Sequence, residues 1–294
     1  MKTIGKILNI TILLLFAWIL SSLVSHQWSK PDDNYEHKLK IITYNTHAMM
    51  IGENINEKKK MLSYINSLDA DIVCLQEVLL YKNAQRFTLH DLREAMKDYP
   101  YTYYDFKRYN SRRQFGNVVF SRYPLTNKKT VPYESENNIS SRCDVIVAKN
   151  DTVRLIVNHL ESYRLERSDL KIDTLNADGI KKSSLNHKLT SAGKRRKEQA
   201  KIVKQEILQS PHPVIAVGDF NAIPLSYVYW KIRLGMHDCF LKGSFGKFGN
   251  TYKKGPLGIR IDYILCSKHF TPIKSKVDKV TYSDHFPVCA TIGW

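Results

Sequence analysis

The strongest constraint on this chain is a repeated juncture: five short apolar runs each meet a polar, chemistry-bearing residue at one end. "LKIITYN" closes on Asn45, "DIVCLQE" on Glu77, "RLIVNH" on His159 and "VIAVGDFN" on Asp219 and Asn221, while "SDHFPV" opens on Asp284 and His285. A continuous apolar run bounded by turn residues suits a strand covered on both faces. In α/β proteins such strand ends converge on a crevice at one edge of the sheet. Each residue also has a plainer account: Asn45 as a turn former, Glu77 and Asp284 as loop charges, His159 as a satisfied imidazole, and "GDFNAIP" as a turn closed by Pro224. Separate plain accounts leave the coincidence at five ends unexplained.

Helical stretches alternate with these runs. "NEKKKMLSYINSLDA" puts Met61, Leu62, Ile65 and Leu68 on one face, "LHDLREAMKDY" reads as a second helix, and "KRRKEQAKIVKQEIL" as a strongly basic third. Further strands are predicted at "YTYYDFK", "NVVFSRY", "CDVIVAK" and "IRIDYILCS". The alternation implies an α/β layered domain over residues 38–294.

The N-terminus reads as a separate module. Residues 7–24, "ILNITILLLFAWILSSLV", carry no charge and approach the ~20 residues that a spanning helix needs. Lys2 and Lys6 precede this run while Asp32, Asp33 and Glu36 follow it, which sets residues 1–6 in the cytoplasm and the domain outside, with 25–37 as linker. An uncleaved anchor is expected, and a cleaved signal segment releasing a secreted or periplasmic protein is the alternative.

Of the formal charge of +17, Lys2, Lys6 and Lys30 contribute only three. The domain itself is therefore basic, which favours anionic partners: nucleic acid, phosphorylated metabolites or acidic lipid. Residues 164–204 hold twelve Lys or Arg against five Asp or Glu. A solvated helix face accounts for such a run, and a polyanion-attracting wall beside the crevice is the sharper reading. The five cysteines contain no CxxC pair, which speaks against a zinc site and against a disulfide framework.

The blocks "TYNTH", "LQEV", "GNVVFSRYP", "NHLES", "GDFNAIP", "RIDYILCS" and "SDHFPV", in this order, resemble the endonuclease/exonuclease/phosphatase superfamily, the DNase I-like group. The resemblance implies a four-layered α/β sandwich with two central mixed sheets and a divalent-metal phosphoesterase site at one edge. It also implies that Asp262, in "RIDYI", orients His285. Where this chain has His159, AP endonucleases of the exonuclease III type carry a tyrosine-containing segment, which argues against abasic-site repair.

Hydrolysis of a phosphoester calls for a hard cation on the phosphate, an oriented water and help for the leaving oxygen. Glu77 is the expected metal ligand, with the Asn45 amide oxygen beside it and Asp284 as a further carboxylate; Mg²⁺ is the expected ion, with Mn²⁺ as the alternative. Asp219 is expected to orient and deprotonate the water, Asn221 to hold the phosphate or the water, and His159 and His285 to serve the phosphate. His47 and His90 fall on no such block and read as bystanders. The expected partner is a phosphate-ester substrate, with nucleic acid and phospholipid head groups as candidates, and no protein partner is expected. Two other classes compete: a noncatalytic binding module, and an envelope protein that binds anionic lipid through its basic face.

Overall fold

The computed structural model describes residues 34–49, 54–133, 135, 137–163, 178–244, 249–253 and 258–294. The expected anchor at 7–24 lies outside the described residues. Among those described, no helix is long and apolar enough to cross a membrane.

Among the described residues, twelve strands form two six-stranded sheets. The first contains β1 (Lys38–Asn45), β2 (Ile72–Tyr81), β3 (Tyr101–Asn110), β4 (Arg113–Ser121), β11 (Thr271–Val277) and β12 (Val288–Gly293), in the order β11-β12-β1-β2-β4-β3. The second contains β5 (Leu125–Thr130), β6 (Ile139–Ala148), β7 (Asp151–His159), β8 (Val214–Asp219), β9 (Met236–Asp238) and β10 (Asp262–Ser267), in the order β5-β6-β7-β8-β10-β9. Each sheet has one central parallel pair, β1 with β2 and β7 with β8, among antiparallel neighbours. Both sheets are therefore mixed.

Alternation along the strands divides the apolar side chains into three clusters. Leu39, Ile41, Cys74, Leu155, Val157, Val217 and Ile264 meet between the sheets. The outer face of the first sheet, including Ile42, Val73 and Leu75, is covered by α1 (Ile55–Ser67) and α2 (Leu89–Ala95). Helix α1 starts where the Asn54 side chain accepts from Asn56 N, and buries Met61, Leu62 and Ile65 at helical spacing. Helix α2 starts on a capping box between Thr88 and Asp91. The outer face of the second sheet, including Ile156 and Ala216, packs against Ala200 and Val203 of α3 (Asp178–Leu208) and Val228, Tyr229 and Ile232 of α4 (Tyr227–Arg233). A short helix α5 (Cys239–Gly243) follows β9. The layers thus run helix, sheet, sheet, helix, as in the DNase I-like sandwich. All five cysteines are free and buried, with Cys239 and Cys266 in contact at 3.6 Å between sulfurs.

Candidate active site

Strand register assembles the site before any side chain is considered. His159 on β7 pairs with Asp219 on β8, and Asp219 pairs in turn with Asp262 on β10. Three functional residues therefore lie abreast at one edge of the second sheet. In the first sheet the parallel pair β1 and β2 brings Asn45 beside Gln76, with Glu77 next in the chain. The two edges meet across the sandwich, since Asn45 Nδ2 lies 3.0 Å from both Glu77 Oε1 and Asp219 Oδ2.

Local backbone geometry aims the two acidic residues. Between Leu75 and Val78 the pairing of β2 with β4 shifts register, and Glu77 sits in this bulge at φ 55°. A bulge re-aims one side chain out of the strand's alternation, here into the crevice. Before Asp219, Gly218 has φ 120°, and a Cβ at that position would lie 2.0 Å from Asn158 O; only glycine lets the two strands approach there. After Asp219 the chain turns through Asn221 at φ 47°. Asn221 N donates to Asp219 Oδ1 at 2.7 Å, and its side-chain amide donates to Leu160 O at 3.0 Å and Asp219 Oδ2 at 3.1 Å.

The charges interlock. His285 Nδ1 lies 2.9 Å from Asp262 Oδ2, its Nε2 lies 3.8 Å from Asp219 Oδ2, and all three side chains are buried. Burial disfavours the imidazolium, but Asp262 and Asp219 outweigh it and raise His285 to about 10. For Asp219, burial followed by the neighbouring Asp262 charge pushes the carboxyl up to about 6. His159 Nε2 lies 3.2 Å from Glu77 Oε1. Burial opposes the charge on Glu77, yet the His159 contact wins and lowers it to about 2. His159 is correspondingly raised by Glu77 against its own burial. Ligand atoms of Glu77, His159 and Asp219 lie within 4.8 Å of one another, as do those of Asp219, Asp262 and His285.

Two of the expected metal ligands sit differently from the rest. As placed, Asn45 turns its amide nitrogen to the carboxylates, while its Oδ1 accepts from His47 N at 2.9 Å. Ligation through oxygen therefore requires the amide to turn over. Asp284 joins neither acidic group and instead meets His47 Nδ1 at 2.5 Å. His47, expected as a bystander, is thus part of the site; it opens a turn in which His47, Ala48 and Met49 all adopt positive φ. His90 is an exposed residue of α2.

Other residues complete the constellation. Asn138, ahead of β6, has its Nδ2 3.0 Å from His159 Nε2 and donates to Leu160 O at 2.9 Å. Ser283 donates to Asn45 O at 2.8 Å and accepts from His285 N at 3.2 Å, tying "SDH" to the end of β1. Tyr252 bridges to His285 through its backbone, with the two rings 4.7 Å apart. Ser283 was legible as part of its motif. Asn138 had no signal beyond its identity.

A sandwich of two mixed sheets with buried carboxylate and histidine pairs at one edge defines a class of phosphoester hydrolases. The chain belongs to the Endonuclease/Exonuclease/phosphatase family, whose sequence profile matches residues 42–285. No curated protein sequence matches it. Among solved structures it is similar to an endonuclease/exonuclease/phosphatase from Beutenbergia cavernae, with 18% identity, TM-score 0.68, and coverage of 88% of this chain and 72% of that one. It is also similar to a humanized D. rerio TDP2, with 17% identity, TM-score 0.63, and coverage of 87% and 99%. A truncated Caenorhabditis elegans TDP2 gives 18% identity, TM-score 0.63, and coverage of 90% and 100%. At these identities the likeness establishes the fold alone.

Proposed function

We propose that the protein is a divalent-metal-dependent phosphoesterase that cleaves phosphodiester or phosphomonoester bonds by in-line attack of water. The observation that carries this reading is Asp219, a buried carboxylate raised to about 6 between His159, Asn45 and the His285–Asp262 pair. A base of that strength is matched to abstracting a proton from water near neutral pH. Asn221, fixed by its three bonds, orients the water or a phosphoryl oxygen. His285, held protonated by Asp262, faces the developing negative charge as hydrogen-bond donor or proton source. His159 fixes Glu77 and adds positive charge on the opposite side.

The donor set fits a hard cation: Glu77 and Asp219 converge, and Asp262 Oδ1 is buried with no hydrogen-bond partner among the described residues. Glu77 and Asn45 would hold the ion, with Asp284 as the outer carboxylate, and Mg²⁺ or Mn²⁺ suits this oxygen-rich set. When bound, such an ion neutralises phosphoryl and leaving-oxygen charge.

The reading is tested with the purified full-length chain on bis-p-nitrophenyl phosphate and plasmid DNA. Turnover is expected with Mg²⁺ or Mn²⁺ and none after EDTA; metal-independent turnover, or none with any divalent ion, counts against it. A nuclease is the second reading, supported by the exposed Lys188, Lys194, Arg195, Lys197 and Lys201 on α3. The sequence of residues 7–24 supports membrane anchorage with catalysis on the extracytoplasmic side. An alkaline phosphatase fusion after residue 40 should then be active and membrane-bound, and a soluble active fusion would show cleavage.

A further inference from the structure

The basic run at 164–204 stands out in the sequence and has no part in the chemistry above, yet α3 contacts both loops that carry it. Arg196 is 3% exposed, and its Nη1 donates to Asn221 O, the carbonyl of the turn that positions Asp219. Its guanidinium lies over the Tyr163 ring at 4.0 Å. Among the described residues no carboxylate pairs with Arg196, and its Nε and Nη2 have no hydrogen-bond partner. One turn further along α3, Gln199 Oε1 accepts from Glu161 N at 2.8 Å, just beyond the end of β7. The two clamped segments are themselves joined, because Leu160 N donates to Asp219 O at 3.0 Å and Asn221 Nδ2 donates to Leu160 O at 3.0 Å.

A buried guanidinium without a carboxylate is costly for a fold to maintain, so a solvated-face account does not explain Arg196. Stability alone would be served by an apolar residue at this position against Tyr163. What Arg196 adds is a fixed donor on Asn221 O. Asn221 occupies the left-handed region at φ 47°, which asparagine tolerates better than other L-residues, and the position of this turn is set by the hydrogen bonds on its side chain and its carbonyl. We infer that Arg196 is a positioning residue for hydrolysis: by holding the Asn221 carbonyl it locks the turn that aims Asp219 and Asn221 at the reacting phosphate, with Gln199 locking the neighbouring strand end. This rests on the phosphoesterase reading for its functional half, while the locking of the turn stands on geometry alone.

The test therefore combines a kinetic and a nonkinetic readout on the full-length chain. In Arg196→Ala, kcat on bis-p-nitrophenyl phosphate with Mg²⁺ should fall on the order of 10²-fold, the scale of a small misplacement, with KM within about 3-fold. Arg196→Lys, which keeps a donor and a charge but loses the stacked plane, should recover part of that loss. Amide hydrogen exchange across residues 219–223 should accelerate about 10-fold or more in Arg196→Ala while β1 amides stay protected. Glu198→Ala, an exposed change on the same helix, should alter neither readout. Unchanged exchange at 219–223 in folded Arg196→Ala overturns the inference, and so does an unchanged kcat. Should Arg196→Ala fail to fold, Arg196→Lys and Gln199→Ala carry the same criteria. If the wild type turns over no phosphoester, the proposed function falls, and the exchange measurement still decides whether Arg196 holds the turn.

Discussion

His285 Nδ1 and Asp262 Oδ2 lie 2.9 Å apart in a buried pair whose other side faces Asp219. The contact fixes which imidazole nitrogen is available to the crevice and raises the basicity of the ring. In the metal-free protein, an NMR titration of the His285 ring should show it still charged at pH 8 and losing its proton near pH 10. Asp262→Asn removes the largest interaction that raises it, so the midpoint should move down while burial continues to oppose the charge. A midpoint unchanged in Asp262→Asn would mean that this carboxylate does not control His285.

Asp219 shows the cost of a site built for chemistry. Its carboxyl is raised from an ordinary 3.8 to about 6. A raised carboxyl favours the fold at low pH, and that contribution is lost as pH climbs through about 6. Above that point the ionised form works against the fold, because burial and the neighbouring Asp262 charge oppose it. Asp219→Asn loses an acceptor for the Asn45 and Asn221 amides at every pH, so the charge effect is read from the pH dependence: relative to wild type without metal, the melting temperature of Asp219→Asn should be higher at pH 8 than at pH 4, while kcat falls on the order of 10²-fold or more. A melting difference between Asp219→Asn and wild type that does not change between pH 4 and pH 8 would refute the account of Asp219 as a raised carboxyl.

Glu77 behaves in the opposite sense. It is lowered to about 2, so its ionised form stabilises the fold above its ordinary range near 4.5 and that contribution disappears as pH falls towards 2. Glu77→Gln leaves His159 without its carboxylate and should lower the melting temperature at pH 7. Manganese binding, read by electron paramagnetic resonance, should weaken by about 10-fold or more. Undiminished binding would move the cation away from Glu77.

Strand ends were legible in the sequence because apolar runs stop where the chain must leave the sheet, and Asn45, His159 and Asp219 do end β1, β7 and β8 at one edge, with His285 ahead of β12. Glu77, expected to end its strand, instead lies in a bulge within β2, which continues to Tyr81, and the bulge brings it to the same edge. What escaped lacks that pattern. Strand β5, "LTNKKT", is an edge strand whose residues after Leu125 are exposed, so no apolar alternation marks it. The run that opens with "SDHFPV" enters its sheet only at Val288, since the preceding residues close the site instead. His47 was passed over because nothing in "NTHAMM" announces consecutive left-handed residues. Arg196 was hidden in a charge run, where composition alone does not separate its buried guanidinium from its exposed neighbours Arg195 and Lys197.

Substrate class is the property that the catalytic edge constrains least, and the exposed cations of α3 give it a measurable signature. Lys188, Lys194, Arg195, Lys197 and Lys201 are all exposed on one helix, and Arg195 is also paired to the buried Glu161 at 3.3 Å. A polyanion tracking this helix releases counterions as it binds, so its affinity falls steeply with salt, by a slope of about 0.9 for each duplex phosphate neutralised. A small phosphoester at the crevice neutralises no such series. With plasmid DNA, the combined substitution of Lys194, Lys197 and Lys201 by Gln should therefore raise KM and flatten the salt dependence by about two to three phosphates. Turnover of bis-p-nitrophenyl phosphate should be unchanged, because none of the three touches the Asp219 turn. If the substitutions leave DNA hydrolysis and its salt slope untouched, the helix is a solvated face and the nuclease reading loses its support. If phospholipid vesicles turn over and DNA does not, the same cations belong at an anionic membrane surface, where each contributes about 1 kcal/mol of attraction.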